Sequence, residues 1–236
     1  MSSATEAELA PPSPRIAEVP VASTPFAYRV AKRGLDLGAS GLALIVLSPV
    51  MAVIALAVRW SSPGPILFRQ QRIGRGGRPF MLFKFRSMDV AADEDEHRAY
   101  VSRLLRRPNG AHGTQTGARA WQPIAADRRV TRVGSFLRRS HLDELPQLLN
   151  ILRGDMSLVG PRPPIPYEVE LYEPWHMRRL SVLPGLTGLW QATGWGRLTF
   201  DEGVRLDVEY VDRRSFLLDV WILARTAWQI LTGRQF

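Results

Sequence analysis

The chain has no cysteine. That excludes disulfides, thiolate zinc sites and a thiol nucleophile, and leaves any metal to carboxylate and water ligands. Lysine is nearly absent too: Lys32 and Lys84 are the only two, so almost all of the 31 basic residues are arginine. Arginine's planar fork suits phosphate, although genomic base composition explains the bias equally well. Acidic residues number 22 and the net charge is +9, which favours a polyanionic partner: nucleic acid, anionic lipid or a phosphorylated small molecule. No charged side chain occurs from Leu37 to Val58, roughly the 20 residues a helix needs to cross a hydrocarbon core of about 30 Å. That run points to a membrane, and no nucleic-acid-binding motif accompanies the charge. No internal repeat is visible, which removes solenoids and propellers.

At 236 residues the chain accommodates one sizeable domain with appendages. Residues 1–28 read as a disordered tail rich in Ser, Ala, Pro and Glu, without a secretory pattern. Residues 29–60 read as the membrane segment and 61–236 as the domain that follows it. Basic residues flank the apolar run on both sides, with Arg29, Lys32 and Arg33 before it and Arg59, Arg69, Arg72, Arg75 and Arg78 after it. Cytoplasmic flanks are the ones that collect Lys and Arg. Either the segment spans the bilayer with a proline kink, or it turns back at Ser48-Pro49, where proline removes a donor and serine can satisfy a freed carbonyl. Beyond it, 65–69 and 80–85 read as short strands joined through Gly74–Gly77. GRGGR there is a plain turn, or a phosphate loop lacking the usual strand-to-helix context. The acidic run 93–96 reads as a solvated helix face.

The densest chemistry lies between Thr131 and Pro163. Ser140 is suited to cap a helix whose first turn holds Asp143 and Glu144, with Pro146 near the helix start. There free N–H groups and the macrodipole stabilise carboxylates and attract phosphate. Consecutive helical residues point about 100° apart, so one carboxylate can face a phosphorus while the other holds a divalent metal. Alternatively both acids only favour the helix end and pair with Arg138 or Arg139. Leu145, Leu148, Leu149 and Leu152 read as the packed face, ended by Gly154. Pro161 and Pro163 restrict the backbone around Arg162, preparing it for a phosphate or for a structural salt bridge. Residues 184–197 form a Gly- and Trp-bearing loop suited to stacking or to core packing. Leu217, Trp221, Ala224, Trp228 and Leu231 recur at helical spacing, as an interfacial amphipathic helix or a core helix.

Taken in order, KRGLDL, the apolar run with Ser48-Pro49, PILFRQQRIG, FKFRSMD, RVTRVGSFLRRSHLDELPQLLNILRGDMSLVGPRP, PGLTGLWQATG and SFLLDVWIL resemble the bacterial sugar transferases. These are monotopic phosphoglycosyl transferases that include the undecaprenyl-phosphate hexose-1-phosphate transferases beginning exopolysaccharide and O-antigen synthesis. The resemblance covers residues 29–236 and matches the short, catalytic-core form. It implies a mixed, mostly helical α/β fold with a re-entrant membrane helix broken at Ser48-Pro49 and interfacial amphipathic helices, on the cytoplasmic face of the bacterial inner membrane.

It also implies a ping-pong reaction. The aspartate matching Asp143 attacks the β-phosphate of a UDP-sugar, UMP leaves, and undecaprenyl phosphate takes the phosphosugar from the aspartate. The glutamate matching Glu144 helps hold Mg²⁺, and the arginines matching Arg138 and Arg162 bind phosphate oxygens, with Lys84 and Arg86, and more weakly Asp89, as further site candidates. UDP-glucose or UDP-galactose is the expected donor and membrane lipids are expected neighbours; a homodimer stays open. Two positions depart from the family pattern: His141, where Ser or Thr is usual, and Trp195-Gly196. Competing readings are a nucleotide-sugar hydrolase and a basic, non-enzymatic membrane scaffold of a polysaccharide assembly complex.

Overall fold

A proline in the middle of a 36-residue helix is the first feature of the computed structural model, which describes residues 18–88, 129–194 and 198–233. Helix α1, Phe26–Ser61, contains Pro49, whose missing N–H orphans the carbonyl of Ile45. The Ser48 hydroxyl donates to that carbonyl at 2.8 Å, so the bond lost to proline is replaced by its neighbour.

Both ends of α1 are tied to the rest of the chain. Near its start, Arg33 donates to the carbonyls of Ile151 and Leu152, and Asp36 accepts from the Ser157 hydroxyl and the Leu158 N–H. Lys32 reaches Asp219, the Tyr210 hydroxyl and the Val159 carbonyl. Near its end, Ile54 and Val58 pack against Phe85 and Leu137. Between these anchors Leu42, Ile45, Val46, Val50 and Val53 are exposed. The basic residues Lys32 and Arg33, expected only as charged flanks, are thus also structural ties. The helix starts three residues before the expected boundary, and Ala22 N–H donates to the Ser181 carbonyl, so the described part of the expected tail lies along the domain.

Strands β1, Leu67–Ile73, and β2, Pro79–Phe85, form an antiparallel hairpin in the expected place. Its GRGGR connection is a tight turn in which Gly76 and Gly77 have positive φ, a region open to glycine. Helix α2, Arg132–Ser140, is capped by Thr131, whose side chain accepts from the Gly134 N–H. It is docked on the end of the hairpin by Thr131 N–H donating to the Ser87 carbonyl. A β-carbon on Gly134 would lie 2.0 Å from that carbonyl oxygen. Gly134→Ala gains about 1 kcal/mol of helix propensity yet forces this junction apart. We expect a net loss of about 1–3 kcal/mol, read as a melting temperature lowered by several degrees.

Helix α3, Gln147–Arg153, ends at Gly154 with φ 88°, as expected. Its buried residues are Gln147, Leu148, Asn150 and Ile151, while Leu149 is exposed; the short 3₁₀ turn ahead of it rotates the buried face away from the leucine pattern. Strands β3, Ser157–Val159, and β4, Gly185–Thr187, pair in parallel. Helices α4, Pro166–Val169, α5, Leu189–Gly194, and α6, Phe200–Arg213, complete this part, with α4 against β1 and α5 packed on α6. The main core joins Leu82, Leu148, Ile151, Met156, Val159 and Tyr210.

The last helix, α7, Phe216–Thr232, turns Asp219 and Ile222 inward, with Leu218 and Leu223 packed on the core. Asp219 is buried and accepts from Tyr28, Lys32 and Tyr210. Arg225 and Gln229 both donate to the Ala192 carbonyl. Its stripe of Leu217, Trp221, Trp228 and Leu231 is exposed, Leu231 to 83%, so it is not a core helix. The chain is a mixed, mostly helical α/β protein carrying one long apolar helix of membrane-compatible length and composition.

Candidate active site

Asp143 and Glu144 do not sit where a Ser140-capped helix would put them. Ser140 is the last residue of α2, and its hydroxyl donates back to the carbonyls of Phe136 and Leu137. His141 follows at φ 57°, the one non-glycine positive φ among the described residues. Its N–H closes α2 on the Arg138 and Leu137 carbonyls. This left-handed residue reverses the chain into a 3₁₀ turn, Leu142–Glu144. Pro146 then starts α3, as its missing donor allows. The acids therefore occupy a tight turn between two helices, and cations rather than a helix dipole balance their charge.

Those cations come from separate elements. From β2, Lys84 places its Nζ 2.5 Å from Glu144 Oε1, both side chains being about one-fifth exposed. From α2, Arg138 donates through Nε to the Ser87 hydroxyl at 2.9 Å and acts electrostatically on Asp143. From the loop after β3, Arg162 acts on Glu144. The two carboxyls are pushed in opposite directions. Burial raises Asp143, Glu144 raises it further, and Lys84 and Arg138 only partly offset this. Burial would also raise Glu144, but Lys84 and then Arg162 overcome it and hold that carboxyl below its ordinary value. Such a split is what different roles for adjacent acids would require: the Asp143 carboxyl is held above its ordinary value and the Glu144 carboxyl below it.

The loop bearing Arg162 is held by its main chain. Arg179 donates to the Arg162 carbonyl at 3.1 Å and Arg72 to the Pro163 carbonyl at 3.0 Å. Gly160 is required beneath, because a β-carbon there would lie 2.4 Å from the Leu183 carbonyl. Arg179 is itself paired with Asp207, both buried, and donates to the Tyr172 hydroxyl. Burial raises the Asp207 carboxyl to about 6 while Arg179 opposes it. Arg72 is lowered to about 10 by burial and by Arg162 beside it.

Arg86 does not join the cluster in this way. It is buried and donates to the carbonyls of Val58, Ser62 and Pro63, so it caps the C-terminal end of α1 instead of facing a phosphate. Its place in the motif did not reveal this, since the carbonyls it serves lie at the far end of α1. Arg72, Arg179 and Asp207 were missed as site supports for a similar reason. Arg72 read as a flanking charge, and the other two lie far downstream in unremarkable sequence. Asp89 and Trp195-Gly196 fall outside the described residues, as does the acidic run 93–96.

Among the described residues no group of three or more His, Asp or Glu side chains could hold a metal. The Asp143–Glu144 pair still fits Mg²⁺, which characteristically takes one or two carboxylates together with substrate phosphates. The like-charge repulsion that raises Asp143 is what a divalent cation would relieve.

A family model described as bacterial sugar transferase matches residues 27–233. The galactosyl transferase CpsE of Streptococcus agalactiae is 39% identical over 209 residues, covering 88% of this chain and 44% of that protein. The exopolysaccharide production protein ExoY of Rhizobium meliloti is 38% identical over 205 residues and 87% of both chains. The UDP-glucose:undecaprenyl-phosphate glucose-1-phosphate transferase of Escherichia coli K12 is 38% identical over 221 residues, covering 89% of this chain. The chain thus spans less than half the length of the Streptococcus and Escherichia relatives, 44% and 43%, and most of ExoY. With the match running from the first turn of α1 to the end of α7, the chain belongs to the bacterial sugar transferase family.

Proposed function

We propose that this protein transfers hexose 1-phosphate from a UDP-sugar, glucose or galactose, to undecaprenyl phosphate, releasing UMP, as the first membrane step of exopolysaccharide or related glycan synthesis. One observation carries the reading: an Asp-Glu turn receives positive charge from three separate elements, through Lys84, Arg138 and Arg162. Relatives of similar identity are named for galactosyl transfer, glucose-1-phosphate transfer and N-acetylgalactosamine phosphotransfer, so family membership leaves the sugar to experiment.

In the first half-reaction an Asp143 carboxylate oxygen attacks the β-phosphorus. The bond from that phosphorus to the bridging oxygen breaks, UMP departs with the electron pair, and a phosphosugar-aspartate remains. In the second, a phosphate oxygen of undecaprenyl phosphate attacks the same phosphorus and the Asp143 carboxylate leaves. A carboxylate approaching a diphosphate meets like charge. Arg162, with its main chain clamped, and Arg138 supply fixed positive charge where the phosphates would lie. Lys84 keeps Glu144 ionised and in place. Mg²⁺ held by Glu144, with Asp143 beside it, would neutralise charge on the diphosphate and the leaving UMP.

The membrane reading rests on α1 and α7. Anchors at residues 32–36 and 54–58 of α1 both meet the globular part, which supports a re-entrant course broken at Ser48-Pro49 with both ends on the cytoplasmic face of the inner membrane. The outward apolar stripe of α7, on a helix held to the protein through Asp219, Ile222, Arg225 and Gln229, supports an interfacial position. Exposed apolar surface of this kind favours a lipid acceptor over water and weighs against the hydrolase reading.

The test is UMP release by the purified protein in nanodiscs with Mg²⁺, undecaprenyl phosphate and UDP-glucose, UDP-galactose or UDP-N-acetylgalactosamine. We expect turnover that requires the lipid and prefers UDP-glucose or UDP-galactose. UMP release that continues beyond one equivalent per enzyme without lipid would favour the hydrolase, and no release from any donor would favour the scaffold.

A further inference from the structure

Strand β2 has β1 along one edge. On its other edge, Met81 and Phe83 bond to the side-chain amide of a single residue on α3. The Phe83 N–H donates to Asn150 Oδ1 at 3.1 Å, and Asn150 Nδ2 donates to the Met81 carbonyl at 2.7 Å. This is the pattern one residue of a parallel strand would make opposite Leu82. Asn150 is wholly buried, and only one orientation of its amide satisfies both partners.

The geometry closes a ring. From Glu144 the chain runs through Pro146 into α3 and reaches Asn150 six residues later. From Phe83 it takes one step to Lys84, whose Nζ returns to Glu144 at 2.5 Å. The Asn150 bracket is the rigid end of this ring and the Lys84–Glu144 contact its working end. A strand sliding by a fraction of an ångström on α3 would carry the ammonium with it. No aliphatic side chain could make both bonds, and each buried main-chain group left unpaired is costly.

We propose that Asn150 is a positioning residue of the transfer site: its amide fixes β2 laterally on α3 and so sets the Lys84 ammonium against Glu144 and beside Asp143. The assignment rests on the proposed role of Lys84 and Glu144 in sugar-phosphate transfer.

Two measurements test it. Because Lys32 and Lys84 are the only lysines, protein labelled with [¹³Cε]lysine gives two lysine signals, assigned with Lys32→Arg. The Lys84 signal of Asn150→Ser should move in the direction produced by Glu144→Gln. An unmoved signal overturns the proposal whatever the activity. The second is a double-mutant cycle on UMP release with Lys84→Ala, Asn150→Ser and the pair, beside Ile151→Val as a control for lost core stability. Lys84→Ala should lower kcat about 100-fold and Asn150→Ser about 10-fold, the latter with little change in KM. The pair should fall no further than Lys84→Ala alone, as expected of residues coupled in one network.

Multiplying kcat losses, or a loss matched by Ile151→Val at equal melting temperature, would show that Asn150 is only structural. Full activity of Lys84→Ala would instead overturn the reading of Lys84, and the lysine spectrum would still report whether Asn150 places it. Serine leaves room for a bridging water and is chosen so that the variant folds.

Discussion

Asp143→Asn should lower the rate of UMP release by about four orders of magnitude or more, as removal of a nucleophile does, while leaving the protein as stable as the wild type or more so. The two effects share one cause. Asp143 is 7% exposed, and burial together with Glu144 raises its carboxyl, so the ionised form is held against its own preference. Asparagine keeps the shape and removes the charge. An aspartate whose folded value lies above its unfolded one, about 3.9, binds its proton more tightly in the fold. The stability this contributes is fully present below the unfolded value and is lost as pH rises through the folded one. The variant should lack that segment of the stability–pH curve. Incubation with sugar-labelled donor and no acceptor should label the wild type and not Asp143→Asn. Labelling of the variant would remove Asp143 as the nucleophile.

Arg179→Leu should be the most destabilising single change near the site, at about 3–5 kcal/mol, because it strands the Asp207 carboxylate in the interior. For a chain of this size that is a fall in melting temperature on the order of 10 °C. Replacing both partners, as Arg179→Met with Asp207→Leu, should recover most of the loss, since a buried ion pair exchanged for apolar side chains of similar volume is often neutral. Activity should not recover with it. The Arg162 carbonyl would still lack its donor, so the double variant should keep a raised KM for the UDP-sugar. Recovery of both stability and KM would mean that the clamp does not aim Arg162.

Much of the local structure was legible in the chain. The hairpin was marked by apolar strands around a glycine cluster, the end of α3 by Gly154, and the long apolar helix by its uncharged length. The Pro49 defect and its repair by Ser48 follow from the covalent chemistry of two adjacent residues. The acidic pair stood out as a candidate because two adjacent carboxylates lie among arginines, a pattern that equally allows plain pairing with Arg138 or Arg139. Each of these signals is contained within a few neighbouring residues.

Other features depended on contacts between residues far apart in sequence. Ser140 looked like a helix cap, but the left-handed turn at His141, closed on α2, converted the expected helix start into a 3₁₀ turn. Arg86 looked like a phosphate ligand until the end of α1 presented three carbonyls to it. Asn150 drew no expectation from the sequence, because its partners Met81 and Phe83 come alongside only in the fold. The stripe on α7 was equally compatible with a core until its polar side took the inward contacts. By itself the sequence determined which groups were available: the Asp143-Glu144 pair, a supply of arginines, two lysines and an uncharged apolar run over residues 37–58. Tertiary structure decided which arginines stay near the acids and which are consumed by main-chain carbonyls, because a buried carbonyl needs a donor and a guanidinium already bonded to carbonyls has fewer N–H groups left for a phosphate.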